Sequence, residues 1–386
     1  MIYDTVVVGA GFFGSVIARL MAEYGSRVLI IEKEKYIGGF AYDYRLDKDI
    51  NIHKFGPHIL TVNNEKIYTF LEKFCILKRV DIKRKVYVRG KYIHLPINLK
   101  SVREMYDEKK AEKIIRKLKG FTIEKEIPLG ILLDSGDPML TEFGKQVYKD
   151  IYLGYNLKMW GKRPEQMDIT VTNRLPIRLT EYSLISDAKY TVLPVFGYSR
   201  LFAEILRHPN IEIMLEKNAA DFIWLDQNTR CMRWKENNQK CRVIYSGAID
   251  ELLQNKYGTL RYRALRFRYK HMDKFLDESA AVITYPNNYK KTRTTDMRML
   301  NGVSRCGATV WVSEYPEEYS KLLNKPAYPV LDNVEKEKYK KYRKDIDRIS
   351  NLYVGGRLGD YKYYTMEDTI MSAFRCYEEI ISDEQI

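Results

Sequence analysis

TVVVGAGFFGSVIARLMAEYGSRVLIIEK, residues 5–33, decides the fold. An apolar run suited to a buried strand turns at Gly9-Ala10-Gly11-Phe12-Phe13-Gly14, continues as a helix, re-enters a second apolar strand and ends at Glu32-Lys33. Gly9 permits a tight turn, Gly11 lets the backbone approach a pyrophosphate, and Gly14 lets the helix pack closely on the strand. The helix start offers unpaired N–H groups and the positive end of the helix dipole to phosphate. Glu32 then stands where a carboxylate accepts hydrogen bonds from a ribose. Strand, glycine turn, helix, strand and acid follow in the order the chemistry requires, so the stretch reads as a dinucleotide-binding β-α-β unit.

Ile37-Gly38-Gly39-Phe40-Ala41 follows soon after the acid. A second glycine pair there lets another backbone segment approach the cofactor. Flavoproteins of the glutathione-reductase type carry such a pair and simple nicotinamide dehydrogenases usually do not, so FAD is the expected cofactor.

At 386 residues, 45% hydrophobic and 30% charged, the chain has room for two or three domains and a substantial core. It contains no apolar run of about 18 residues, so no membrane span is expected. The apolar N-terminal stretch lacks a preceding basic region and is consumed by the nucleotide fingerprint, which argues against a signal peptide. Five scattered cysteines (Cys75, Cys231, Cys241, Cys306, Cys376) and five histidines form no ligand spacing. They point to a reducing cytoplasm and to no metal site. The net charge of +14 suits an anionic partner. Much of it lies in Lys-rich stretches that read as solvated helix faces, and no nucleic-acid-binding motif is present. A nucleotide sugar fits both the charge and the 31 tyrosines.

The expected class is α/β: an FAD-binding Rossmann-like domain with a helical insertion and an antiparallel sheet. Residues 1–80 form the first part of the FAD domain and 81–165 a mostly helical insertion with helix-period runs. Residues 166–345 form an antiparallel substrate sheet interleaved with returns to the FAD domain, with strand-like runs at 242–247, 280–285 and 309–313. Residues 346–386 bring a last strand, glycines and a helix from about Met366 back over the cofactor.

Along its whole length the chain resembles the flavin-dependent UDP-galactopyranose mutases. The resemblance is carried by Val8–Gly14, Gly38-Gly39-x-Ala41-Tyr42, His53-Lys54-Phe55-Gly56-Pro57-His58-Ile59 and Leu95-Pro96-x-Asn98. Further along come Gly154-Tyr155-x-x-Lys158-x-Trp160-Gly161, Arg174-x-Pro176-x-Arg178 and Gly247-x-Ile249-Asp250. Glu314-Tyr315-Pro316 and Gly355-Gly356-Arg357-Leu358-x-x-Tyr361-Lys362-Tyr363-Tyr364 complete it. The resemblance implies interconversion of the pyranose and furanose forms of a nucleotide-diphosphate hexose, without net redox change, in surface polysaccharide synthesis. It further implies that reduced FAD acts as a nucleophile through a covalent N5–sugar adduct.

By the same resemblance Arg174 and Arg293 hold the diphosphate, Tyr315 and Tyr363 hydrogen-bond it, and Tyr155 and Trp160 line the nucleoside pocket, joined by Asn98. Guanidinium forks suit this task because they pair with phosphate oxygens in two parallel hydrogen bonds. Tyr155 and Trp160 lie five residues apart, on differing faces of a regular helix, so a helix end or break is expected nearby. His58 and Arg357 correspond to groups beside the flavin, whereas His53 reads as a loop anchor. Gly9, Gly11, Phe13, Gly14, Glu32, Lys33, Gly39, Phe40, Ala41, Gly356, Tyr364 and Thr365 complete the implied cofactor contacts. An external reductant, NAD(P)H or a reductase, is implied, and exposed helices over 100–165 could pair protomers as a homodimer.

Five positions depart from the UDP-galactose pattern. Thr61 stands for a histidine, Glu104 for a glutamine reading the uracil edge, Leu184 for a diphosphate tyrosine, Thr284 for an asparagine and Thr365 for an aspartate. A buried polar site discriminates through the groups it leaves unpaired, so their joint change points toward another nucleotide sugar. dTDP-fucopyranose and UDP-N-acetylgalactosamine stand beside UDP-galactose as substrates. An FAD-dependent amine-oxidase-like oxidoreductase is the more distant alternative, and a non-catalytic flavoprotein the third class.

Overall fold

The computed structural model describes residues 3–47, 50–122, 124–166, 176–182, 186–303 and 307–384. Arg174 and Leu184 lie outside the described residues.

Five parallel strands form the nucleotide-binding sheet, in the order Ile211–Met214, Val28–Ile31, Thr5–Val8, Arg242–Tyr245 and Leu352–Val354. A parallel sheet is covered on both faces, which is why its strands read TVVV and VLII rather than alternating. The helix Phe12–Glu23 connects the first two strands and packs against the C-terminal helix Met366–Glu384. Its close seating on the first strand depends on Gly14: a Cβ there would strike the Gly9 carbonyl oxygen and lie 3.3 Å from Val7 Cγ1.

A second sheet of seven strands runs in the order Tyr328–Pro329, Tyr262–Met272, Thr309–Glu318, Arg293–Asp296, Val282–Thr284, Arg84–Val88 and Lys91–Leu95. All its pairings are antiparallel except that of Val282–Thr284 with Arg84–Val88. The last two strands correct the expected boundary at 81. The insertion opens with a β-hairpin that completes the substrate sheet, and its helices run from Leu99–Met105 to Gly154–Trp160. The signal was present in the sequence: Val86 and Val88, then Ile93 and Leu95, alternate with polar residues at the strand period. These four share one buried core with Ile114, Leu118 and Phe143 of the helices, so hairpin and helices form one packed unit. Of the other strand-like runs, 280–285 and 309–313 enter this sheet, whereas 242–247 is a return to the centre of the parallel one.

Gly14→Ala should therefore be a folding mutation. Overpacking of this kind costs about 1–3 kcal/mol or more, so its thermal unfolding midpoint should fall by several degrees relative to wild type; an unchanged midpoint would contradict the helix–strand contact.

Candidate active site

A cavity of about 1040 Å³ runs along the carboxyl ends of the parallel strands. It takes in every residue expected at the cofactor except Tyr364 and Thr365. The helix Phe12–Glu23 starts at Gly11 with no side-chain cap and no acid in its first turn. Its first amides are left for a ligand, unlike those of the helices capped by Asn64, Asp107 and Asp137. A Cβ on Gly11 would meet nothing within 4 Å, whereas one on Gly39 would lie 3.3 Å from Gly11 Cα. Two glycine turns thus abut, and the open side of Gly11 is where a pyrophosphate fits. Glu32 is buried, accepting from the Ala10 amide at 2.7 Å and the Glu34 amide at 2.9 Å. Each oxygen keeps a lone pair, so these bonds orient the carboxylate without exhausting it. Gly355 and Gly356 give room to Phe13, whose ring a Cβ on Gly355 would overlap.

At the other end of the cavity Gly56, at φ +80°, turns the chain toward His58. The His58 amide donates to His53 Nδ1 at 3.0 Å, which gives His53 its anchoring task. His58 Nδ1 lies 2.9 Å from the Gly56 carbonyl. A carbonyl only accepts, so Nδ1 carries the proton of the neutral ring and Nε2 remains a lone-pair acceptor. Burial, the neighbouring His53 and the Arg357 and Arg293 cations push His58 down to about 3; burial alone takes His53 to about 4. Arg357 is fixed by the Tyr364 carbonyl at 2.8 Å and stacks 4.8 Å over the Tyr328 ring.

The seven-stranded sheet carries several of the residues expected to hold the substrate. Thr284, Arg293 and Glu314 are directly paired across three strands, so their side chains share one face. Arg293 Nε donates to Glu314 at 2.6 Å, and Glu314 is 2% exposed. Burial works against the Arg293 cation, but Glu314 and Tyr155 hold it above the usual guanidinium range. Tyr155 and Trp160 stand on Gly154–Trp160, which follows a π-helical turn over Tyr148–Leu153 and stops at left-handed Gly161. The expected break is thus present on both sides. Lys158 ties this helix to the neighbouring turn, donating to the Tyr285 carbonyl and, at 3.0 Å, to those of Tyr289 and Lys291. Trp160 packs edge-on to Tyr363 at 5.5 Å and to Tyr328 at 6.0 Å.

Several expected contacts are employed elsewhere. Tyr315 follows Glu314 on a regular strand and therefore faces the opposite side, under Arg266 and Arg268 at 4.7 and 5.2 Å. Asn98 caps the helix Leu99–Met105, accepting from Ser101 N at 2.9 Å and donating to the Tyr182 carbonyl at 2.7 Å. Glu104 receives the His94 amide at 2.8 Å and its ring Nδ1 at 2.6 Å. Thr365 bonds reciprocally with Asp368 in the first turn of the last helix, at 2.8 and 3.0 Å. Tyr364 reaches the site through its carbonyl alone, and Thr61 pairs with Thr191 on a separate sheet. Sequence reasoning missed the far end of the cavity, where Lys217, Ala219, Ile223, Met232 and Leu252 gather, and also Tyr328. Apolar residues without a motif carry no sequence signal of that task.

Gly11→Val is expected to fold with a near-normal thermal midpoint yet purify without visible flavin absorbance; a normally flavinated variant would refute the cradle. A second expectation concerns pH. Unfolded histidines take up protons below 6.5 while folded His58 and His53 resist to about 3 and 4, so stability is full above 6.5 and falls as pH drops. His58→Gln should flatten the fall between pH 6.5 and 4, read from urea midpoints, and wild-type turnover should show no His58 ionisation between about pH 5 and 8.

Comparison with known proteins identifies the family. A UDP-galactopyranose mutase family model matches residues 150–363, and a model of an NAD(P)-binding Rossmann-like domain matches residues 7–74. The chain is 29% identical to the dTDP-fucopyranose mutase of Escherichia coli, covering 98% of this chain and 99% of that one. It is 27% identical to a probable UDP-galactopyranose mutase of Klebsiella pneumoniae, over 98% and 95%. It is 29% identical to the UDP-galactopyranose mutase of Mycoplasma genitalium, again over 98% and 95%. A crystal structure of reduced UDP-galactopyranose mutase superposes with a TM-score of 0.74 at 14% identity, covering 99% and 96%. A putative protoporphyrinogen oxidase from Exiguobacterium follows the same fold at 0.68, 15% identity and 98% of both chains. Fold alone therefore spans mutases and oxidoreductases, while the family model covers more than half of the sequence. The chain belongs to the UDP-galactopyranose mutase family, an isomerase family of nucleotide-sugar pyranose/furanose mutases.

Proposed function

We propose that this protein interconverts the pyranose and furanose forms of a nucleotide-diphosphate hexose, with FAD as its cofactor and the reduced state as the active one. The observation that carries the reading is the convergence of Arg293, Tyr155 and the Trp160–Tyr328–Tyr363 cluster on the His58–Arg357 end of the dinucleotide cavity. An amine oxidase needs an apolar cage there, not half-buried arginines. Held along the Gly9–Gly14 turn, Glu32 and Gly38–Ala41, reduced FAD would supply a nucleophile for the anomeric carbon.

The chain's own residues do the rest. Arg293 and Arg174 bind the diphosphate; negative charge grows on it as the glycosidic bond breaks, so their hold strengthens toward the transition state. Tyr363 and Tyr155 close the polar and nucleoside ends of that pocket. His58, neutral and with Nε2 free to accept, orients a donor at the reacting edge without adding charge. The aromatic cluster excludes water, which would otherwise hydrolyse the sugar. NAD(P)H or a reductase of a reducing cytoplasm supplies the electrons once, since the reaction itself consumes none.

The test is anaerobic NMR of dithionite-reduced enzyme with UDP-galactopyranose and dTDP-fucopyranose together. Furanose signals from either sugar, without stoichiometric loss of reductant, support the reading, and the labelled sugar names the substrate. Steady oxidation of an amine with peroxide release would replace it with the oxidoreductase reading. Arg174→Ala should keep the yellow cofactor and lose about two or more orders of magnitude in turnover.

A further inference from the structure

Among the described residues two buried side-chain polar atoms lack a hydrogen-bond partner, Arg84 Nε and Thr295 Oγ1. The sheet register puts them in one row. Arg84 stands opposite Val282 on the next strand, and Val282 opposite Thr295 on the one beyond. Residues paired in this way share a face, and residues two apart on a strand share it too. The row therefore lies on the face that carries Thr284, Arg293 and Glu314. Glu314 is already bonded to Arg293 at 2.6 Å, and Arg84 makes no ion pair among the described residues. A buried donor on a cation is costly unless something accepts from it. The charged form of Arg84 is disfavoured by burial and by Arg293, and favoured by Tyr155, Glu314 and Tyr363, leaving it near 10. Arg84 thus sits within electrostatic reach of the groups assigned to the substrate, and it remains a cation.

We propose that Arg84 is a further substrate-binding arginine, whose guanidinium fork closes on an oxyanion of the nucleotide sugar. The proposal rests on the mutase reading and adds to it a group that no motif marked. A guanidinium matches phosphate and carboxylate oxygens alike, so two sources share this chemistry: the diphosphate, or a carboxylate on the hexose as in a nucleotide-linked hexuronic acid. Tyr155, Tyr363 and Arg293 all lie toward the diphosphate in the proposed arrangement, which favours the first source.

Arg84→Met and Arg84→Lys in the full-length, flavin-loaded protein test it. Calorimetric affinities for UDP, dTDP and UDP-galacturonic acid are compared with thermal midpoints taken with and without each ligand. Removing a half-buried arginine whose buried Nε has no partner should leave the ligand-free midpoint unchanged or higher, a result that a merely structural arginine would not give. Arg84→Met should weaken nucleoside diphosphate binding about tenfold or more, the loss of one charged hydrogen bond. Arg84→Lys should restore only part, because the ammonium lacks the fork. Weakening with UDP and dTDP, and with UDP-galacturonic acid to a similar degree, assigns the diphosphate; weakening confined to UDP-galacturonic acid assigns the sugar carboxylate. Unchanged affinity for all three ligands in both variants overturns the proposal while leaving the mutase reading intact. A wild-type protein that binds none of them overturns that reading and this proposal together.

Discussion

Glu314, 2% exposed, accepts Arg293 Nε at 2.6 Å in the cleft between the two sheets. Its surroundings explain why a carboxylate occurs there. A Cβ on Gly56 would lie 2.5 Å from Glu314 Oε1, so the loop that carries His58 is laid directly against this acid. The ion pair therefore fixes the loop, the sheet face and the Arg293 guanidinium relative to one another. Arg293, Arg84 and Arg357 bring three cations to this end of the cavity. One buried carboxylate cannot balance them. Burial and the neighbouring His53 keep His58 neutral, with Arg357 and Arg293 adding to them, and the cationic excess favours an incoming dianion. A protein that binds and then retains a cleaved diphosphate needs this imbalance, because a neutral site would not hold the leaving group.

Much of the cofactor half was legible from residues 5–41, because glycine sterics leave few alternatives. Gly9, Gly14 and Gly39 each abut an atom that a side chain would displace, and such positions can be read without knowing what packs around them. The substrate half was less legible. Whether Glu314 or Tyr315 faces the cleft turns on strand parity, and a shift of one residue reverses the answer. Asn98 and Thr365 look like ligand groups in a motif, yet helix N-caps select the same side chains for an unrelated reason. The hairpin carrying Arg84 was assigned to a helical region, which hid its neighbourhood with Val282 and Thr295. Arg84 is also one of 65 lysines and arginines, so only burial and register single it out.

These placements change how the departures from the UDP-galactose pattern should be weighed. Thr365 is used to start the last helix, and Glu104 takes the His94 amide on one oxygen and the His94 ring on the other. Burial disfavours the charged His94 ring, and the Glu104 carboxylate partly offsets this. In the arrangement proposed above, Glu104 would meet a base with its orientation already set by His94. Thr284 differs, being buried directly opposite Arg293 on the cleft face. A shorter hydroxyl side chain there, with the long cation of Arg84 one strand away, redistributes the site's polarity from amide hydrogen bonding toward charge. Charge contacts act on the diphosphate or on a carboxylate, whereas a sugar hydroxyl is read by neutral groups in fixed positions. On the mutase reading proposed above, selection among hexoses rests on fewer neutral contacts than the UDP-galactose pattern provides, and retention of the leaving group on more cationic ones.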